Sequence, residues 1–156
     1  MLTDSVKNKY FKACRTGDVE YLKHLIERGF DVSTKDGEPW HMTGLHHSSR
    51  EGHTKVMELL IENGADLNTA AKTSMFTPVY LSISFSQSEA ALLLISRGAD
   101  IHVSTNTGVT LLQEAAMKGL SQVVEELIKK KVYINEKDND DRTALGNICT
   151  QFYFQA

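Results

Sequence analysis

Two cysteines, Cys14 and Cys149, are all the thiol chemistry in these 156 residues. Both fall where the surrounding pattern predicts an inward helical position, near opposite ends of the chain. They therefore read as buried structural thiols rather than as a disulfide, in a reducing, cytosol-like compartment. Basic runs are as scarce. None exceeds Lys129-Lys130-Lys131, and 17 basic against 20 acidic residues leave a formal net charge of −3. That excludes the footprint of a nucleic-acid binder. No apolar stretch approaches the roughly 20 residues a membrane helix needs. The opening Met1-Leu2-Thr3-Asp4 has neither the basic nor the apolar region of a signal peptide. Phosphate loop, nucleophile elbow and zinc-protease helix are all missing, so no catalytic set and no cofactor are expected. At 41% hydrophobic and 24% charged residues the chain is still globular in composition. The expected location is cytoplasmic, with the nucleus open to it in a eukaryotic cell.

What the chain has in abundance is itself. Thr43-Gly44-Leu45-His46 returns as Thr77-Pro78-Val79-Tyr80, Thr110-Leu111-Leu112-Gln113 and Thr143-Ala144-Leu145-Gly146, with Thr-to-Thr spacings of 34, 33 and 33. A second phrase keeps step: Gly29-Phe30-Asp31-Val32, Gly64-Ala65-Asp66-Leu67, Gly98-Ala99-Asp100-Ile101 and Lys131-Val132-Tyr133-Ile134. A fixed period of this length predicts a stacked array of supersecondary units, each unable to bury its apolar face alone.

Within one unit, Thr43 is placed to cap a short helix over about 45–50 that Gly52 ends. A second helix over about 54–62 carries Val56, Leu59 and Leu60 on one face. Asn63-Gly64 stops it, and a long polar connection follows. Ser86 stands where other units have the inter-helix Gly, and Lys131 where they have the terminal Gly. Positive φ without glycine costs about 1 kcal/mol, so both ends are expected to be less regular. Asp4 or Ser5 is the expected cap of an opening helix, with an apolar stripe of Leu2, Val6, Tyr10, Ala13 and Cys14. Leu145, Ile148, Cys149, Phe152 and Ala156 form a closing amphipathic helix. The expected architecture is one all-α repeat solenoid over 1–156, with units at about 1–35, 36–70, 71–104, 105–137 and 138–156. Four full repeats are followed by a C-terminal capping helix.

These phrases resemble the ankyrin repeat family, whose signature is Thr-Pro-Leu-His-x-Ala at a period near 33. The resemblance covers essentially residues 4–156. It implies antiparallel helix pairs with connections projecting as β-hairpin fingers. It further implies a concave groove lined by fingers and first helices, and a non-enzymatic interaction module. Departures are Gly44 and Leu111 for the Pro, and Tyr80, Gln113 and Gly146 for the His, which are expected to weaken individual caps. His46 matches the family's structural His, whose ring bonds loop backbone. That weighs against reading His41, His46, His47 and His53 as a metal site, as does the lack of a Cys or paired carboxylate at ligand spacing. Asn68 reads as a turn-stabilising residue.

The copies disagree in length as well as in letters. The inter-helix sites Gly17, Gly52, Ser86 and Gly119 are spaced 35, 34 and 33. Against a base period of 33, the first finger has two extra residues and the second has one. The longer fingers carry Trp40, Met42, Met75 and Phe76, and Phe85 ends the third unit's first helix, at the position matching Glu51 and Lys118. One reading makes these a contiguous apolar patch for a partner, with Arg50, Glu51, Lys35, Glu38 and Arg142 as its rim. The other has them pack on one another to stiffen the finger. The expected partner is another folded protein, bound by a monomer or weak dimer through the groove. Two sharper alternatives stay open. One is a small inhibitor or immunity-type protein that occludes an enzyme or toxin. The other is an assembly subunit pairing through Phe152, Tyr153 and Phe154.

Overall fold

The computed structural model describes residues 4–37, 39–72 and 76–146. Among them are eight helices: α1 (Asp4–Thr16), α2 (Val19–Glu27), α3 (Gly44–Glu51), α4 (Thr54–Glu62), α5 (Pro78–Ser84), α6 (Ser88–Ser96), α7 (Leu111–Met117) and α8 (Ser121–Lys129). First helices α1, α3, α5 and α7 stack in one row, and second helices α2, α4, α6 and α8 in another. Leu22, Leu45, Val56, Met57, Leu60, Val79, Ile83, Leu94, Leu111, Val123 and Leu127 fill the seam between the rows with no exposed surface. Each such side chain stabilises by about 1.5–3 kcal/mol, and the neighbouring repeat supplies much of the cover. A further helical turn opens at 144–146. The closing helix otherwise lies outside the described residues. Asp4 and Ser5 sit inside α1 rather than ahead of it.

The caps follow the repeated Thr, with different partners in each copy. In the second unit the Thr43 backbone N–H donates to His46 Nδ1 at 3.1 Å, and His46 Nε2 reaches the Phe76 carbonyl at 3.2 Å. Since Nδ1 accepts, the proton is on Nε2. Gln113 reproduces the whole arrangement. Its Oε1 accepts from Thr110 N–H at 2.8 Å, and its Nε2 donates to the Glu136 and Arg142 carbonyls. The expected weakening of that cap does not occur, because a carboxamide offers the same acceptor-donor pair as a neutral imidazole. Tyr80 departs further: its ring stacks on Phe76 at 4.9 Å and its hydroxyl donates to Glu114 at 3.3 Å. Gly44 also has a reason. A Cβ there would run into the Tyr10 hydroxyl and lie 2.8 Å from Cys14 Sγ. The bulky Tyr10, bonded to the Val32 carbonyl at 3.2 Å, has taken the room of the family's proline.

Ser86 and Lys131 adopt φ +60° like the glycines they replace. The turn at Ser86 keeps its bonds, with Gln87 N–H to Ser82 C=O at 2.7 Å. The turn at Lys131 loosens slightly, with Val132 N–H to Leu127 C=O at 3.4 Å. The strain is therefore carried in the torsion rather than relieved by opening the turn at Ser86.

The fingers contain less sheet than hairpins would. Among the described residues only single bridges occur, Lys35 with Thr43 and Ser104 with Thr110. Each finger is instead closed at its base by one backbone bond: Asp36 to Met42, Ala71 to Phe76, Thr105 to Val109 and Asp138 to Arg142, at 2.9–3.0 Å. The enclosed spans shorten from six residues to five and then four, which locates the sequence insertions in the first two fingers.

Candidate partner-binding face

In the second and third units the base of the finger meets the first helix behind it, through a polar pair in one and an apolar pair in the other. In the second unit Asp36 Oδ1 accepts from the Met42 N–H at 2.9 Å and Oδ2 contacts His47 Nε2 at 2.7 Å, both side chains 7% exposed. In the third, the same positions hold Ala71 and Leu81, which pack together with Met42 and Phe76 in a small apolar cluster. In the fourth, Thr105 Oγ1 accepts from Val109 N–H at 3.2 Å, while the buried Glu114 serves Tyr80. The finger bases are thus fixed platforms on which the tips stand.

This packing sorts the anticipated patch. Met42 is a correction: it is buried, closing the cluster with Ala71 and Leu81, and offers nothing to a partner. Phe76 is half-buried against Tyr80 and that same cluster. Trp40 and Phe85 remain open, each 46% exposed. The Arg50 guanidinium lies 4.6 Å from the Phe85 ring centre, a cation–π contact across two repeats. Glu51 is 3.7 Å from Arg50, with both side chains well exposed. Lys35 is exposed beside the first finger, whereas Arg142 is tied to Asp138 at 2.9 Å and Asp140 at 2.7 Å. Met75, Glu38, Phe152, Tyr153, Phe154 and Cys149 lie outside the described residues. Trp40 C=O accepts from Lys72 N–H at 3.0 Å, so the first finger leans on the second.

The histidines are bonded into this frame. His46 and His47 serve as above, and His53 Nε2 meets the Arg15 carbonyl at 2.9 Å. Burial lowers the His46 pKa to about 4, against the pull of the Phe76 carbonyl. Burial also lowers His47, against Asp36, with Arg15 and Arg50 pushing the same way as burial. His47 Nδ1 and Ser49 Oγ are buried without a hydrogen-bond partner. Among the described residues no three His, Cys, Asp or Glu side chains gather as metal ligands. Cys14 is buried, its thiol pushed up to about 12 by desolvation.

Sequence reading missed the Asp36–His47 pair, whose members stand 11 residues apart with no motif linking them. Asp36 Oδ1 binding its own loop has counterparts in Asp138 and Thr105, so the aligned copies held the signal. Tyr133, 70% exposed, was also missed. It occupies the place of Asp31, Asp66 and Asp100, whose carboxylates each accept an N–H two residues on at 2.9 Å. Asn68 does more than stabilise its turn: its Oδ1 accepts from Asp100 N–H at 2.8 Å, joining two repeats.

Comparison with known proteins gives one consistent result. A family model described as ankyrin repeats, three copies, matches residues 10–105, and a single ankyrin repeat matches 107–139. A putative ankyrin repeat protein of Fowlpox virus is 25% identical over 130 residues, covering 83% of this chain and 38% of that protein. A transient receptor potential cation channel subfamily A member 1 homolog of Caenorhabditis elegans is 31% identical over 107 residues, 69% of this chain and 9% of the channel. The subfamily A member 1 channel of Homo sapiens is 30% identical over 125 residues, 77% and 11% respectively. The chain thus spans well under half the length of each of these relatives.

Proposed function

The chain belongs to the ankyrin repeat family, whose repeats mediate protein–protein contacts, and from this premise we propose that it is a non-enzymatic module that holds a folded protein against its finger and first-helix face. The observation that carries this reading is the pair of half-exposed aromatics, Trp40 on the longest finger and Phe85 under the Arg50 guanidinium. Large aromatics and arginine are the side chains that most often anchor an interface, and here they stand on well-packed supports. The relatives speak for the same reading. A viral protein and two cation channels each carry a stretch similar to this one as a minor part of their length, which fits a part that recognises rather than reacts. A free buried Cys14 agrees with a reducing, cytoplasmic setting. Among the described residues no helix is long and apolar enough to cross a membrane.

The test is capture from an extract of the native source by the wild-type chain and by Trp40→Ala/Phe85→Ala. The double variant should lose its partner by about ten- to a hundredfold in affinity, as for two interface anchors. Its melting temperature should stay close to wild type, since both rings are half in solvent. Undiminished capture refutes the face. Sedimentation of the wild type addresses the assembly reading: a concentration-dependent dimer lost on Phe154→Asp would favour pairing through the C-terminal aromatics instead.

A further inference from the structure

The cations on the finger and first-helix face are distributed unevenly. In the C-terminal half each has an answering carboxylate: Lys118 lies 3.9 Å from Glu114, and Arg142 is held by Asp138 and Asp140. In the N-terminal half Arg15, Lys35, Arg50 and Lys72 are all exposed. Among the described residues Arg15, Lys35 and Lys72 have no carboxylate within ion-pair distance, and Arg50 has one, Glu51 at 3.7 Å. Asp36 in the first finger is buried, with one oxygen on His47 and the other on a backbone N–H, so it projects little charge outward. Lys35 bridges Thr43 at the start of α3, Arg50 lies near the end of α3, and the Arg15 carbonyl meets His53 just beyond it, so the three cations flank one helix. This accumulation occurs in a chain whose net charge is −3. Like charges gathered on one face repel one another and raise the local potential, and an incoming anion relieves both effects. The same region carries Trp40, bonded through its carbonyl to Lys72, and Phe85 beneath Arg50. A guanidinium that already stacks on a ring is oriented to grip a carboxylate with its edge.

Building on the interaction reading above, we propose that the N-terminal half of this face, from Arg15 to Phe85, takes an acidic segment of its partner. Aspartate or glutamate side chains fall on Arg15, Lys35, Arg50 and Lys72, and an apolar side chain falls on Trp40 or Phe85. Exposed ion pairs contribute little each, so the cations set the choice of partner and the speed of encounter while the aromatics supply most of the holding.

The experiment uses three labelled 12-residue peptides that share one Leu and one Phe, with the remaining positions Glu/Asp, Ser/Gln or Lys, titrated by fluorescence anisotropy. The acidic peptide should bind at least about tenfold tighter than the neutral one, and the lysine peptide should not bind. Raising salt from about 20 to 200 mM should remove most of the difference. Arg15→Glu/Arg50→Glu should lose the acidic peptide by about tenfold or more, while Lys129→Glu/Lys130→Glu, an equal change of charge at the C-terminal end of α8, should leave it unchanged. Circular dichroism melts of both variants check that they fold. Neutral and acidic peptides binding alike but sensitive to Phe85→Ala would overturn the acidic preference and leave the partner-binding face standing. Binding of all peptides that ignores Phe85→Ala would remove both. No binding of the acidic peptide, or equal effects of the two charge reversals, would overturn the proposal. So would a single-stranded 20-mer oligonucleotide that binds as tightly as the acidic peptide.

Discussion

Mild acid should loosen this protein in part through the His46 imidazole, and His46→Gln should remove that part. His46 is buried and neutral, accepting at Nδ1 from Thr43 and donating at Nε2 to the Phe76 carbonyl. Its pKa falls from 6.5 to about 4 because burial penalises the charged ring. In the unfolded chain the same ring takes up its proton near 6.5. Between these values the unfolded state binds more protons, so stability rises with pH there. His46's contribution is thus complete above pH 6.5, is lost as pH falls toward 4, and changes no further below that. Taking about 1.4 kcal/mol per pKa unit, the loss from pH 7.5 to pH 4.5 is about 2.5 kcal/mol from this residue alone. His47, also lowered by burial, adds in the same direction. The seventh helix supplies the control, since Gln113 makes the same acceptor and donor bonds with a group that does not titrate. His46→Gln should therefore stay within about 1 kcal/mol of wild type at pH 7.5. It should lose about 2.5 kcal/mol less on going to pH 4.5. Urea denaturation followed by circular dichroism at the two pH values measures both quantities. Parallel pH losses in the two proteins would refute the argument, as would a variant crippled at pH 7.5.

Three further outcomes follow from the packing. Gly44→Ala should cost about 1–3 kcal/mol by overpacking against Tyr10 and Cys14, and most of that cost should vanish in a Tyr10→Leu background, a coupling read by a double-mutant cycle in urea. Ser86→Gly should raise stability by about 0.5–1 kcal/mol because φ is already +60°, whereas Gly17→Ala should lower it by more than about 1 kcal/mol, since φ is +78° and the new Cβ would sit 2.9 Å from the His53 ring. Thermal melts rank the three proteins, and a neutral Ser86→Gly would show that its turn carries no strain. In a Cys149→Ser chain, Cys14 should resist a thiol reagent at pH 8 until urea unfolds the protein, because burial keeps its pKa near 12; reaction at the rate of a free thiol would refute the burial.

The repeat was legible because it rests on short-range rules that every copy obeys. A Thr cap, helical spacing of Leu and Val, and a left-handed turn residue are read locally, and their recurrence at 33 or 34 residues left one architecture. The insertions were legible too, since 35 and 34 against 33 became finger spans of six and five residues against four. The side-chain roles were less so. Gln113 looked like a broken cap and is an intact one, because equivalence of hydrogen-bonding atoms, not of residue type, is what the site requires. Asp36 and His47 stood 11 residues apart with no motif to link them.

By itself, then, the sequence determined that this is a stack of helix pairs with lengthened fingers bearing aromatic and sulfur side chains. Only the tertiary structure decided which of those side chains a partner could touch. Met42 went inward because Ala71 and Leu81, from the following repeat, leave an apolar place beside it. Phe85 stayed outward because its helix ends where Arg50 of the preceding repeat covers one side of the ring and nothing in the described repeats covers the other. Exposure depends on the neighbour in space, and in a solenoid that neighbour is about one period away along the chain.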